Sequence, residues 1–515
     1  MTNTSFPASG RPVAGPAPGS YFLRASVAVL LVYTPWVWAG LRPSFHVVAV
    51  VAALILLAWL CFPGRSPAPK ACWRDPVFWA GALFLGYLGV QWANAGRIQY
   101  FDVGYQRWAY TAPPWPGWPS AFSRADAWQM LTWFFPAWVI ALAIRSRILN
   151  PRELRSLMRG WVNMSGLLAV FGLIQYASGT KSIYWIHPMQ AQFFASFGYG
   201  NHAPPYFVLA GALAAGLLFR EIFDVPASHM SDTWQRRIRH PGRVAVLGPV
   251  LLLCLASAHL GVSRSGVILA GLFFLFFAGY GLVRGWRLLR PAFRVNLVAA
   301  VLGAGASLYF LVAGLGDQAI RKEFSAKAAP QVLQTAWERV DLELGGRPLF
   351  YRAAVQLWKA HPWFGLGGWG FKYRVADYIP AALWPTLENR GWANVHFDFL
   401  QFLVEFGIVG TGLLLGALGV MAVDLFHPVC ERNSLWVMGL AGLLLVLVFS
   451  VIDLPFRCPA VLYAWVAVLA ALPQMCAEPG PRPVSRGRRS RRTEGETQAC
   501  AECSGPAIPH HERTP

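Results

Sequence analysis

The stretch PAVLYAWVAVLAALPQMC, residues 459–476, carries no charged side chain in 18 consecutive positions. As an α-helix, a run of this length extends about 27 Å, which is close to the ~30 Å hydrocarbon core of a bilayer. A helix also satisfies its own backbone hydrogen bonds, as a segment within lipid must. The stretch therefore predicts a membrane-spanning helix.

Similar apolar runs recur along the 515 residues. Hydrophobic residues make up 56% of the chain and charged residues only 13%, about half the fraction usual in soluble domains. The sequence thus predicts an all-α integral membrane protein and excludes a soluble, disordered, collagen-like or small disulfide-linked protein. We place about twelve spans at 22–40, 45–62, 76–94, 126–144, 160–177, 203–219, 244–262, 266–283, 295–315, 397–424, 435–452 and 459–476.

These spans divide the chain into five parts. The Pro- and Gly-rich segment 1–20 and the basic tail 477–515 are expected to be disordered in the cytoplasm. Spans one to nine occupy 21–315, and spans ten to twelve occupy 397–476. Between them lies 316–396, which is too long for a simple turn, and loops of that length are usually functional. We expect it to be a single large extracytoplasmic (periplasmic) loop.

The net charge of +20 is distributed unevenly among the connections. Arginine and lysine crowd the connections that follow the even-numbered spans, and the other short connections carry few. By the positive-inside rule the basic connections and both termini are cytoplasmic, and 95–125, 178–202 and 316–396 face outward. The charge is therefore mainly a topology signal rather than a sign of nucleic-acid binding, and contact of the basic tail with membrane lipid headgroups is a secondary expectation. The basic set includes Arg65, Lys70, Arg145, Arg155, Arg159, Arg243, Arg284, Arg287 and Arg486.

Two of the outer segments have their own pattern. Segment 95–125 is dense in aromatic residues, such as Trp108 and Tyr110, which we interpret first as an interfacial belt and second as a sugar-binding surface. In the large loop, 347–361 is an amphipathic helix that we expect on the membrane surface or capping the bundle. Its apolar side holds Leu349, Phe350, Ala353, Ala354, Leu357 and Trp358, and its polar side Arg352, Gln356 and Lys359.

Two short motifs are weak. The glycines of 365–370, GLGGWG, fit a dinucleotide-binding pattern, but they follow a helix rather than a strand, so we interpret them as a tight turn. Cys500 and Cys503 form a single CxxC in the polar tail, near His510 and His511, and are only weakly indicative of zinc. The eight cysteines are scattered, and no disulfide framework is implied.

Charged side chains at the ends of spans are costly and indicate function by default. Arg264 could instead snorkel to headgroups, Arg352 could lie on a solvated face, and His396 could cap its helix or be a hydrogen-bonded structural residue. Glu405, roughly 13 Å further along the same helix, is better interpreted as a buried acid paired with another helix. The outer candidates are Arg264, Arg352, His396, Glu405, Asp453 and Arg457.

An ordered set of segments from Phe197 to Ala471 resembles the O-antigen ligase and polymerase family. Residues 396–410, HFDFLQFLVEFGIVG, are similar to its signature of a His, a Leu, a Glu and two spaced glycines. Many members have Asn after that His; this chain has Phe397, so Asp398 is expected to supply the polar contact. Further similarities lie in Arg352, Trp358, Pro362 and 365–367, in Ser263–Gly266, in Asp453–Ala460, and in Phe197–Ala203.

The resemblance implies transfer of a glycan from a polyprenyl-diphosphate carrier to a hydroxyl of a glycan or of lipid A–core. The site would face outward from the bacterial inner membrane, in O-antigen or exopolysaccharide synthesis. Arg264 and Arg352 would clamp the diphosphate, and His396 would be the general base. An inverting reaction without metal or cofactor is expected. Further candidates for substrate contact are Asp398, Asp453, Arg457 and Lys359.

Other functions remain open at this point. A transporter or flippase of lipid-linked saccharides is the alternative from another class, although the sequence has no internal repeat of the kind that transporters often carry. Within the enzyme class, ligase, polymerase and protein O-oligosaccharyltransferase share these motifs. The Asp453–Ala460 segment slightly favours a polymerase.

Overall fold

The computed structural model describes residues 19–61, 72–102, 107–189, 192–224, 240–261, 264–288, 291–325, 347–379, 394–427 and 433–476. Within these ranges, a helix lies at the position of each predicted span. They are α1 Ser20–Trp36, α2 Pro43–Cys61, α3 Pro76–Ala93, α4 Arg124–Arg145, α5 Pro151–Ala177, α6 Ala203–Ile222, α7 Pro241–Leu260, α8 Arg264–Leu288, α9 Pro291–Ser325, α12 Asp398–Val423, α13 Ser434–Phe449 and α14 Pro459–Cys476.

Nine of the described helices are long and apolar enough to cross a membrane, namely α2, α4 to α9, α12 and α14. Helix α13 is apolar but shorter, with 16 residues. The chain is therefore a multi-pass helical membrane protein, as predicted, while the number of twelve spans stays a prediction. The tail with Cys500 and Cys503 and nearly all of 1–20 lie outside the described residues.

The helix before the predicted large loop ends later than the predicted ninth span. Helix α9 continues to Ser325, ten residues past the predicted end of the ninth span at 315. The predicted amphipathic helix is present as α10, Arg347–Ala360, and a short helix α11, Phe371–Arg374, follows it. Helix α10 buries Phe350, Ala353, Ala354 and Leu357 against the start of α12 and the segment around α11.

Two small hairpins, which the sequence did not predict, lie in the other two predicted outer segments. Strand β1, Ile98–Asp102, pairs antiparallel with β2, Arg107–Tyr110, with Tyr100 opposite Ala109. Strands β3, Ser182–Ile183, and β4, His187–Pro188, form the second. The first hairpin is rich in aromatic side chains, which favour strands when they can pack on one face.

Helix α6 is the centre of the bundle. The most apolar stretch of 18 consecutive residues in α6 is completely buried. In α14, 89% of the corresponding stretch is buried, and in α9 none of it is. A helix that is apolar on all sides and enclosed by others is expected at such a position. Small residues bring α6 and α13 together, since a Cβ at Gly442 would lie 2.6 Å from the Cβ of Ala212.

The polar contacts separate into two ends of the bundle. At one end, Arg145 donates to Asp75 over 2.8 Å and Arg243 donates to Glu221 over 3.0 Å. These side chains come from the predicted cytoplasmic connections and the helix ends beside them. The opposite end, which we call the site end, collects the described residues of 95–123 and 178–202, together with α10 and the start of α12.

The contact between α6 and α13 predicts the outcome of a matched pair of substitutions. Gly442→Leu should force the two helices apart and lower the unfolding free energy by about 1–3 kcal/mol, as overpacking does. Gly419→Leu is the control, because a Cβ at Gly419 meets no other atom within 4 Å. Melting of the detergent-purified variants measures the difference, and equal melting temperatures would contradict this packing.

Candidate functional site

Helix α12 is broken near its site end. Gly407, inside the helix, has a φ of 61°. Backbone groups on both sides of Gly407 therefore lack their hydrogen-bond partners within the helix. The turn after α10 supplies their partners. Leu366 N donates to Val404 O and Gly367 N donates to Glu405 O, each over 2.8 Å. The predicted tight turn is confirmed, with φ of 65° at Gly365 and 81° at Gly367.

Helix α3 holds the same junction from the opposite side. The Tyr87 hydroxyl lies 2.7 and 2.8 Å from the carbonyl oxygens of Phe364 and Phe406, and its single proton is donated to one of them or shared between both. Gln91 Nε2 donates to Glu405 O over 3.2 Å. The segment after α10 and the first turns of α12 are therefore fixed to each other and to the bundle.

A fully buried carboxylate, Asp453, is the centre of the site. His396 Nδ1 lies 3.4 Å from its Oδ1, and Arg347 Nη2 lies 3.3 Å from its Oδ2. Tyr199 Oη donates over 3.3 Å, and Asn201 Nδ2 also donates. Burial alone would raise the pKa of Asp453, but the hydrogen bond and charge of His396, followed by the charge of Arg347, hold it below its ordinary value. Asp453 is therefore a carboxylate.

His396 is held in an unusual backbone conformation with φ of 59°. Its carbonyl accepts a hydrogen bond from Tyr351 Oη over 3.1 Å. The N-cap of α12 is Phe397, whose side chain makes no cap hydrogen bond, so His396 lies one residue before the cap position. The alternative interpretation of His396 as a helix cap is therefore wrong.

The contact with Asp453 orients the His396 ring. A carboxylate beside Nδ1 favours the tautomer with the proton on that nitrogen and leaves Nε2 as the basic one. The side chain is 19% exposed. Among the described residues, Nε2 has no hydrogen-bond partner, so the geometry suits a proton acceptor that meets its substrate at Nε2.

Tyr199 and Asn201 were not among the predicted site residues. They lie in the 195–202 connection, more than 250 residues before Asp453 in the chain. Burial, and then the charge of Asp453, raise the pKa of Tyr199, so the phenol keeps its proton and donates to the carboxylate. The sequence signal for this connection was the similarity of Phe197–Ala203 to the O-antigen ligase family, which did not single out Tyr199 or Asn201.

The two arginines of α10 have different surroundings. Arg347, which the sequence analysis did not single out, contacts Asp453, and Tyr351 one turn later contacts His396. Arg352 is exposed on the face opposite the buried one, and Lys359 is exposed near the helix end. The structure therefore brings Arg347 to Asp453, the partner of His396, and leaves Arg352 and Lys359 on the exposed side of α10.

Arg264 begins α8, beside the segment that carries Asn201. A Cβ at Gly266 would lie 2.5 Å from Pro204 Cγ, so the start of α8 packs closely on the start of α6. Arg264 is partly buried there. This packing places the first turn of α8 against the start of α6, which directly follows Tyr199 and Asn201 in the chain.

A second buried network contains Glu405. Its carboxylate forms an ion pair with Arg457 and accepts a hydrogen bond from Gln401 Nε2 over 2.5 Å. The guanidinium of Arg457 also lies 4.9 Å from the ring centre of Trp369 and 5.4 Å from that of Phe402. The predicted pairing of Glu405 with another part of the bundle is thus present. Substrate contact by Arg457 stays a prediction. Arg457 is only 3% exposed, which does not favour such a contact.

Asp398 is also buried, at the first position of α12. Its Oδ2 accepts from Phe456 N over 2.9 Å, and its backbone N donates to Ser450 O over 2.9 Å. Its Oδ1 has no hydrogen-bond partner among the described residues. This oxygen is available for the predicted contact of Asp398 with substrate. The contact itself stays a prediction.

An apolar cavity opens beside Asp398 between α3, α4, α12, α13 and α14. It has a volume of about 940 Å³ including its open mouth. At the site end it is lined by Asp398, Ser450 and Phe456, and at the other end by Val77 and Met421. The cavity thus follows the bundle along much of its length.

Part of the chain that carries these residues matches a known protein family. Residues 249–415 match the O-antigen ligase family, which confirms the resemblance predicted from the motifs. The matched range includes Arg264, Arg347 and His396, and lies between Tyr199 and Asp453 in the chain. No curated protein gives a match. The match supports a membrane glycosyltransferase of the O-antigen ligase type and does not favour the transporter alternative.

The buried pair of Glu405 and Arg457 generates a stability prediction. Glu405→Leu should lower the unfolding free energy by about 3–5 kcal/mol, because it leaves the Arg457 charge buried without its partner. The double variant with Arg457→Leu should recover most of this loss. Thermal unfolding in detergent is the measurement, with exposed Arg352→Leu as the control. A single variant as stable as the wild type would mean that the pair is not formed.

Proposed function

We propose that this protein transfers a glycan from a polyprenyl-diphosphate carrier to a hydroxyl of a glycan or of lipid A–core. The reaction serves the synthesis of cell-surface polysaccharide, on the outer face of the bacterial inner membrane. The observation that carries the proposal is the ordered pair of His396 and Asp453 with Arg347 beside it. The family match over 249–415 supplies the reaction class.

The chemistry follows from the orientation of His396. Nε2 takes the proton from the acceptor hydroxyl, whose oxygen forms a bond to the anomeric carbon of the donor. The bond from that carbon to the diphosphate oxygen breaks, and the carrier diphosphate leaves. The buried Asp453 carboxylate stabilises the imidazolium that forms. A single displacement of this kind inverts the anomeric configuration and needs no metal.

The leaving group requires fixed positive charge. A guanidinium binds two phosphate oxygens at once and stabilises charge as it develops on the diphosphate. We assign this role to Arg264 and to Arg347, whose side chain is 29% exposed while it contacts Asp453. Arg352 and Lys359, on the exposed side of α10, remain candidates for contact with the outer parts of the donor.

The cavity beside Asp398 supports a lipid-linked donor. Its walls are almost entirely apolar side chains, such as Phe84, Phe134 and Leu418. Asp398, one of its lining residues, lies on the first turn of α12, which follows His396. A polyprenyl chain in this cavity would bring its diphosphate to the site end, where the arginines are.

The general-base role of His396 is tested by His396→Asn. Asn tolerates a left-handed backbone better than most residues, so the variant should fold. It cannot accept the proton, and turnover should fall by about 10²–10⁴. Turnover of lipid-linked glycan by the purified protein is measured, with His361→Asn as the control at the end of α10. Near wild-type turnover of a folded His396→Asn variant would overturn the assignment and point to Asp398.

The arginine assignment is tested by Arg347→Lys against Arg352→Lys. A lysine keeps the charge but cannot form the two-pronged contact. Arg347→Lys should therefore lose most of the activity, whereas Arg352→Lys should retain most of it, with both variants inserted in the membrane. If Arg352→Lys is the inactive one, the exposed face of α10 holds the diphosphate, as the motif resemblance implied.

A further inference from the structure

Exposed aromatic rings and a partly buried ion pair lie on the β1–β2 hairpin and at and just after the end of α11. We call this set the aromatic patch; its members are Trp108, Tyr110, Arg374, Asp377 and Tyr378. Trp108 is 36% exposed and Tyr110 and Tyr378 are each 38% exposed. The hairpin lies outside the range that matches the O-antigen ligase family, and the catalytic cluster around Asp453 uses none of these residues.

The rings of the patch are held from behind by other aromatic rings. Tyr110 packs edge-on against Phe122 at 4.6 Å, and Trp108 packs edge-on against Tyr373 at 5.6 Å. Phe122 and Tyr373 are buried and lie 5.3 Å apart. Edge-on packing fixes the orientation of Trp108 and Tyr110 while part of each ring stays exposed. The patch is therefore ordered before any ligand arrives.

Hydrogen-bonding groups lie directly beside these rings. Arg374 Nε contacts Asp377 Oδ2 over 2.6 Å, and Arg374 Nη1 donates to Tyr110 Oη over 3.3 Å. An exposed ring next to a guanidinium, a carboxylate and a phenol suits a ligand with apolar faces and polar edges. A saccharide ring has this character. A lipid acyl chain would remove the Arg374–Asp377 ion pair from water and offer it no hydrogen bonds, which disfavours contact with acyl chains at this position.

The patch shares a packed core with the proposed catalytic base. Phe371, at the start of α11, lies 6.4 Å from Phe350 between ring centres, and Phe350 lies 6.4 Å from His396. The same core contains Phe122 and Tyr373, which support the patch. The patch and His396 are thus carried by one packed unit at the site end.

We propose that the aromatic patch binds saccharide units of a glycan that extends from the reaction centre. The identity of that glycan, as part of the donor or of the acceptor, rests on the proposed function. The binding itself does not, because it requires no turnover. Trp108 and Tyr110 stack on the sugar rings, and Arg374 and Asp377 bind their hydroxyls.

The experiment measures binding of the delipidated surface polysaccharide of the host strain to the full chain in lipid nanodiscs. Trp108→Ala should weaken the apparent affinity by about ten-fold, the loss of roughly one strong contact. Trp108→Phe should retain most of it because a ring remains. Trp118→Ala is the matched control, since Trp118 lies in the same segment and is 65% exposed without belonging to the patch.

Each outcome separates the hypotheses. Equal affinities for the wild type and Trp108→Ala, or an equal loss in Trp118→Ala, would overturn the saccharide site. Wild-type protein that binds the polysaccharide but transfers no lipid-linked glycan would contradict the proposed function and leave the site standing. Where turnover is measured, a raised KM for the donor or for the acceptor in Trp108→Ala identifies which of them carries the bound saccharide.

Discussion

The break in α12 at Gly407 determines how the site is assembled. A helix within a membrane has to satisfy the backbone groups that a break leaves free, and water is not there to do it. In this protein the partners are the backbone amides of Leu366 and Gly367, which follow α10. The break therefore ties the large loop to the bundle, and so fixes α10 with Arg347 and Tyr351 next to His396.

The polar groups at the site end form two networks with different tasks. Asp453 contacts groups from three other parts of the chain, and its histidine and arginine partners remain partly exposed. Glu405 and Arg457 are only 0% and 3% exposed and are enclosed by Gln401, Trp369 and Phe402. The sequence places Asp453 and Arg457 four residues apart in one motif, yet they point into different networks. One network can act on a substrate, and the other stabilises the broken helix.

The features that were predictable from the sequence depend on local pattern. Apolar runs indicated the positions of the helices, the spacing in 347–361 indicated α10, and the glycines of 365–370 indicated the turn. The partners of Asp453 were not predictable in this way. Tyr199 contacts Asp453 although it lies far from it in the sequence. The sequence analysis selected Arg352 instead of Arg347, because only the packing of α10 decides which arginine faces inward. The β1–β2 hairpin was missed because its aromatic residues are equally typical of a membrane interface.

The complete burial of α6 has a consequence for biosynthesis. The small residues of α6 are covered by α13. During translation, Gly442 of α13 is synthesised more than 200 residues after Gly216 of α6. At ~5–20 residues per second, α6 waits roughly 10–45 s for this partner. During that time lipid or an insertion factor has to cover the surface of α6 that α13 later occupies. Closure of the bundle around α6 is therefore a late event in the assembly of the protein, and the position of Asp453, just after α13, is set only then.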